Sequence, residues 1–256
     1  MKKFTLPFLL CLVLQAWSTA WAHECETPPC YEIEPELNGS QNAGKFSYNF
    51  QVYDELAKKI IKDTDLEVFH EKLLHFLVFD PALKEYQHVH PEFDGEKWTV
   101  ELNLPVNGNY WIYLQGMSAA NKKEFTINTR LNVNNGQTAH PVLPLLELRM
   151  GNDGISAVSL SGGVLRANRE AMVMVNISRT NGTTPQITPY LGAKAHVVVV
   201  GNQGKSFLHA HPMDTENPLQ MMAHVNFPKE GEYRVWVQFI DDKELKTIPL
   251  AVKVVR

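Results

Sequence analysis

Leu74-His-Phe-Leu-Val-Phe-Asp-Pro-Ala-Leu-Lys-Glu-Tyr-Gln-His-Val-His-Pro91 returns later in the chain as Ala195-His-Val-Val-Val-Val-Gly-Asn-Gln-Gly-Lys-Ser-Phe-Leu-His-Ala-His-Pro212. His75, His88, His90 and Pro91 recur as His196, His209, His211 and Pro212, each 121 positions on. Pro105, Gly108, Tyr110 and Gln115 recur as Pro228, Gly231, Tyr233 and Gln238, each 123 positions on. Two blocks in one order, separated by a two-residue insertion, mark a tandem duplication.

The repeated unit reads as strands. Leu74–Phe79 and residues 196–200 are short apolar runs, and Trp98–Leu104 alternates with period two, as a half-buried strand does. Residues 173–177, 233–239 and 250–255 add further strands, with breakers such as Pro81, Asn107-Gly108, Asn134-Asn-Gly136 and Asn181-Gly182 between them. Only residues 53–65 have a helical look. The expectation is an all-β chain of two tandem immunoglobulin-like antiparallel β-sandwich domains after a cleaved signal peptide. The segments read as 1–22 signal peptide, 23–41 N-terminal segment, 42–152 first sandwich and 153–256 second sandwich.

Lys2 and Lys3, the apolar core Phe4 to Leu14 and Ala20-Trp21-Ala22 make a leader with a small-x-small cleavage pattern, which places the mature start at His23. The apolar core falls short of the ~20 residues of a spanning helix, so no membrane anchor is expected and the protein is periplasmic or secreted. Loss of the leader moves the formal charge from -4 to -6, which gives no footprint for nucleic acid. In an oxidising compartment Cys25 and Cys30 are expected to form a disulfide, with a soft-metal or redox pair as the competing reading.

Residues two apart on a strand share a face, so His88 and His90 lie side by side. A hairpin centred on the loop from Asp80 to Glu85 brings His75 opposite His90, and the second copy brings His196 opposite His211. Each half then gathers three imidazoles, a donor set that suits zinc(II) or copper(II) and not magnesium or calcium. Glu101 and its counterpart His224 are candidate fourth ligands. Met213, with Met221 and Met222 nearby, adds soft thioethers that favour copper(I), although methionine also serves as core filler. His23 can chelate copper through its ring and free amine, or be a tolerated residue on a terminus. The bland alternative for the histidines is a structural His-x-His-Pro corner copied by duplication. His70 and His140 read as loop residues.

Residues 69–80 with His88-Val-His-Pro-Glu92, and residues 189–196 with His209-Ala-His-Pro212 and residues 231–239, resemble bacterial periplasmic YtkA-like domains. The resemblance implies immunoglobulin-like sandwiches often met beside copper or heavy-metal export, and its pattern falls on His75, His88, His90, His196, His209 and His211. Phe69 stands where the second copy has Tyr190. The functional expectation is an exported metal-binding protein for copper or zinc, with a metal ion and an unidentified envelope protein as partners. The alternative is a non-catalytic envelope or secreted adhesin-like module with structural histidines. No G-x-S-x-G elbow or H-E-x-x-H helix supports hydrolysis, so an enzyme is not expected.

Overall fold

The computed structural model describes residues 29–36, 39–201, 204–210 and 212–256. The chain is nearly all β, and its two halves are antiparallel sandwiches of the same topology. In the first, one sheet runs Tyr31–Pro35, Gly44–Asp54, Trp98–Leu104, Glu92–Phe93. The other runs Ser40–Asn42, Glu124–Asn134, Gly108–Ser118, Leu74–Phe79, Tyr86–Val89. In the second half the matching sheets run Met150–Asn152, Ser156–Ser161, Glu170–Arg179, Gln220–Asn226, Met213–Asp214 and Leu165–Arg166, Glu244–Val255, Gly231–Asp241, His196–Gly201, Ser206–Ala210. In both halves a short strand pairs in parallel with the last long strand, after the chain has left the opposite sheet.

Immunoglobulin-like character is carried by residues as well as topology. Tyr110 and Tyr233, near the start of equivalent strands, donate their hydroxyls to Val106 O and Lys229 O at 2.9 and 2.7 Å. This is the tyrosine corner of such sandwiches. The Trp98 ring is buried, and its indole N–H reaches Ile61 O.

Three segments differ from the sequence reading. Residues 53–65 form no α-helix. Asp54 Oδ1 accepts the amides of Leu56 and Ala57, Lys58 turns at φ 51°, and a 3-10 turn at Asp63–Asp65 follows. An Asx turn competes with helix for the same amides. Met150–Asn152 pairs with Ser156–Ser161 of the second sandwich, and Tyr31–Pro35 is an edge strand of the first. Cys30 is buried just before that strand, whereas Cys25 and the whole leader lie outside the described residues.

Leu74–Phe79 and His196–Gly201 are buried at every position, and their continuous apolar character follows from that. Leu74, Phe76 and Val78 face the core of their own sandwich. Leu77 and Phe79 meet Val198, Val200 and Trp236 of the second half in a separate apolar cluster that includes Tyr113 and Leu83. The contact between the halves repeats itself about a pseudo-twofold axis. Tyr86 stacks on Trp236 with centroids 4.4 Å apart, and Phe207 stacks on Tyr113, also at 4.4 Å. Such self-matching contacts are those of an isologous dimer, here made within one chain.

Candidate functional site

His75 shares its strand face with Leu77 and Phe79, so it points toward the other half and not into its own core. The hairpin pairs Leu77 with His88 and Phe76 with Val89, the register expected from the loop, and His90 follows directly beside His75. Ring centroids lie 5.3 Å apart for His75 and His88, 5.0 Å for His75 and His90, and 4.9 Å for His88 and His90. One ligand nitrogen from each of the three lies within 4.8 Å of the others. In the second half Val198 faces His209, and the His196 and His209 rings are 5.6 Å apart. His211 lies outside the described residues, as does His23.

The two sets meet across the domain contact. His88 is 5.2 Å from His209 and 5.8 Å from His196, and His75 is 5.4 Å from His209. The two expected sites are therefore neighbours in one buried histidine cluster.

Hydrogen bonds around the cluster fix which nitrogens face inward. His75 Nε2 donates to Phe69 O at 2.9 Å, which leaves Nδ1 as the lone-pair nitrogen. His88 Nδ1 donates to Gln238 Oε1 at 2.9 Å. Gln238 is oriented by its own donation to Thr247 Oγ1, and its Oε1 also accepts the Tyr86 hydroxyl. The inward nitrogens, His75 Nδ1 and His88 Nε2, are 3.1 Å apart. The second half repeats the pattern: His196 Nε2 donates to Tyr190 O at 2.7 Å and His209 Nδ1 to Gln115 Oε1 at 2.7 Å, with the inner nitrogens 3.4 Å apart. His90 Nε2 is buried with no hydrogen-bond partner among the described residues.

Burial keeps these rings neutral. It pushes His75 down to about 4 and His90 down to about 3, it holds His88 well below the usual imidazole range, and it lowers His196 as well. Neighbouring imidazoles add to the shift at His75, His88 and His90. The carbonyls that hold His75 and His196 sit in matching tight turns. His70 and Glu71 in one, and Leu191 and Gly192 in the other, have φ between 49° and 77°. In the first turn neither left-handed residue is glycine, a strained arrangement of the kind concentrated at functional sites.

Other candidates lie elsewhere. Glu101 is on the outward face of its sheet and accepts the Ser47 hydroxyl. His224 is likewise outward, with Nδ1 2.8 Å from Glu170 Oε1, although it and His209 border one surface pocket of about 230 Å³. Met213 is exposed at the sheet edge, and Met221 is buried in the core of the second sandwich. His70 stands 6.2 Å from His75, and His140 bonds Glu85. Gln115 and Gln238 were not read as site residues. Their recurrence at the same offset as the tyrosines was the signal.

Fold and repeat define a protein of two immunoglobulin-like sandwiches joined through a histidine cluster. The chain belongs to the family described as Domain of unknown function (DUF8832), whose model matches it twice, over residues 32–135 and 150–256. No curated protein matches it. Among solved structures it is similar to FdeC, a broadly conserved Escherichia coli adhesin, at 9% identity and TM-score 0.29, over 89% of this chain and 65% of that one. It is also similar to domains 4 and 5 of the S-layer protein SbsC, at 12% identity and TM-score 0.22, over 88% of this chain and 98% of that one. Dimeric latent PorU from Porphyromonas gingivalis aligns at 12% identity and TM-score 0.30, over 89% of this chain and 24% of that one. No helix among the described residues is long and apolar enough to cross a membrane.

Proposed function

We propose that this chain is an exported, non-catalytic binding module whose buried histidine cluster holds a transition-metal ion, zinc(II) or copper(II), between its two sandwiches. The observation that carries the reading is the convergence of two lone pairs, on His75 Nδ1 and His88 Nε2, at 3.1 Å. Two neutral acceptors at that distance repel each other unless a cation lies between them. Nitrogens bound at about 2.0–2.1 Å to a tetrahedral ion are ~3.3–3.4 Å apart, close to the spacings in both halves. The outer nitrogens are engaged by carbonyls and amide oxygens, as in metal sites whose surrounding hydrogen bonds set the tautomer. His90 Nε2, which has no hydrogen-bond partner among the described residues, supplies a third donor. Copper is the finer choice suggested by the YtkA-like resemblance, and export rests on the leader.

A second reading is an envelope interaction module in which the cluster is structural. It is favoured by the linker between the sandwiches, where Val142, Leu143 and Leu146 are 52%, 63% and 84% exposed. Equilibrium dialysis against zinc(II) or copper(II) at neutral pH, followed by elemental analysis, separates the two. The metal reading expects at least one ion retained per chain, and its loss on combined His75→Asn, His88→Gln and His90→Gln substitution. An unloaded wild-type chain supports the interaction module.

A further inference from the structure

Away from the histidine cluster, the outward face of one sheet in the second sandwich carries four methionines. Strand register sets Met174, Met222 and Met213 directly opposite one another across three adjacent strands, and sets Met172 opposite His224 in the next row. Directly opposed side chains start about 5 Å apart at Cβ, within the reach of flexible thioethers. Met172 and Met213 are 60% and 50% exposed, whereas Met221, pointing the other way on the same strand, is fully buried in the core. These four thioethers are therefore on the solvent side of their sheet and outside its packing.

The first sandwich supplies an internal control. At the equivalent positions it has Asn49, Thr99 and Glu92 in one row and Ser47 opposite Glu101 in the next. That face is polar and hydrogen-bonded, Thr99 Oγ1 to Asn49 Oδ1 at 3.0 Å and Ser47 to Glu101. Its polarity is ordinary for the wet side of an antiparallel sheet. Replacement of all five polar residues by four thioethers and an imidazole converts a hard, hydrated surface into a soft one. His224 gives a second, independent indication. Its Nδ1 is 2.8 Å from Glu170 Oε1, a carboxylate–histidine pair that turns Nε2 into the available donor.

We propose that this face binds one soft monovalent cation, copper(I) or its analogue silver(I), through His224 Nε2 and two or three thioethers of the Met172, Met174, Met213 and Met222 patch. Thioether and imidazole donors select such ions over zinc(II). The methionines lie on the other sheet of the second sandwich from His196 and His209, while His224 shares a surface pocket with His209, so the test reads the two sites separately.

Silver(I) is the probe, titrated into the full mature chain in chloride-free buffer while ¹³C-methyl methionine signals are followed. One equivalent should move signals of the Met172, Met174, Met213 and Met222 patch and leave buried Met221 in place. Changing the four to leucine keeps apolar volume, and should weaken silver(I) binding at least tenfold without changing zinc(II) retention by the histidine cluster. Unmoved methionine signals at one equivalent, or equal silver(I) affinity in the leucine variant, overturns the proposal. If the leucine variant does not fold, the methyl spectrum of the wild-type chain decides alone. Zinc(II) retention in the same samples reports on the histidine cluster separately, so either site can fail without the other.

Discussion

At the scale of single residues, chemistry rests on which nitrogen of each imidazole carries its proton. Gln238 sets this for His88 from the other half of the chain, 150 positions away. Replacing Gln238 with alanine removes no ligand, yet should weaken zinc(II) binding about 10–100-fold, the usual effect of losing a group that orients a metal-binding histidine. Competition titration against a chromophoric chelator measures this, and an unchanged affinity would show that Gln238 only packs. The rings also predict a pH dependence for the metal-free protein. Unfolded imidazole titrates near 6.5, whereas burial holds His75 down at about 4 and His90 down at about 3. Below pH 6.5 the unfolded chain takes up protons that the folded chain refuses. Stability is therefore full above about 6.5 and falls as pH drops toward 4, by ~1.4 kcal/mol per histidine per pH unit. Urea midpoints at pH 7.5 and 5 should differ accordingly, and equal midpoints would contradict the burial. Proton competition for metal then begins lower than the 6.5 of a free imidazole. The histidine pattern was legible because it repeats at short spacing. The glutamines were not, since sequence does not show that two halves face each other.

At the scale of elements, the hairpin register was legible, because loop length and strand period together fix which residues oppose. Leu77 does face His88, and Val198 faces His209. The Trp98–Leu104 alternation likewise appears as alternating burial along that strand. The placement of Glu101 and His224 was not legible: alternation told which face they occupy, and not that this face is turned to solvent. The tyrosine corners hold the strands that carry Gln115 and Gln238. Val106 is buried and its carbonyl takes the Tyr110 hydroxyl, so Tyr110→Phe should cost about 1–3 kcal/mol by leaving an acceptor unmet. Urea denaturation of this single variant reads the loss. A change below about 0.5 kcal/mol would mean that water replaces the hydroxyl there.

At the scale of the whole molecule, duplication has produced two sandwiches that pack as a dimer does, and the histidine cluster is a product of that packing. Sequence showed two copies of a three-histidine pattern, and the simplest expectation was two separate sites. Leu77, Phe79, Val198, Val200 and Trp236 close the contact and bring His88 within 5.2 Å of His209. The same contact explains why two strands that carry a histidine at or next to their first residue are otherwise apolar on both faces. The central claim is that inward lone pairs of His75 and His88 await a cation. A long-range ¹H–¹⁵N spectrum of the histidine rings, recorded on the metal-free chain and again with one equivalent of zinc(II), tests it most directly. The expected result is a protonated Nε2 on His75 and a protonated Nδ1 on His88, with zinc(II) shifting His75 Nδ1 and His88 Nε2. A proton on His88 Nε2 shared with His75 Nδ1, and no change on adding zinc(II), would contradict it.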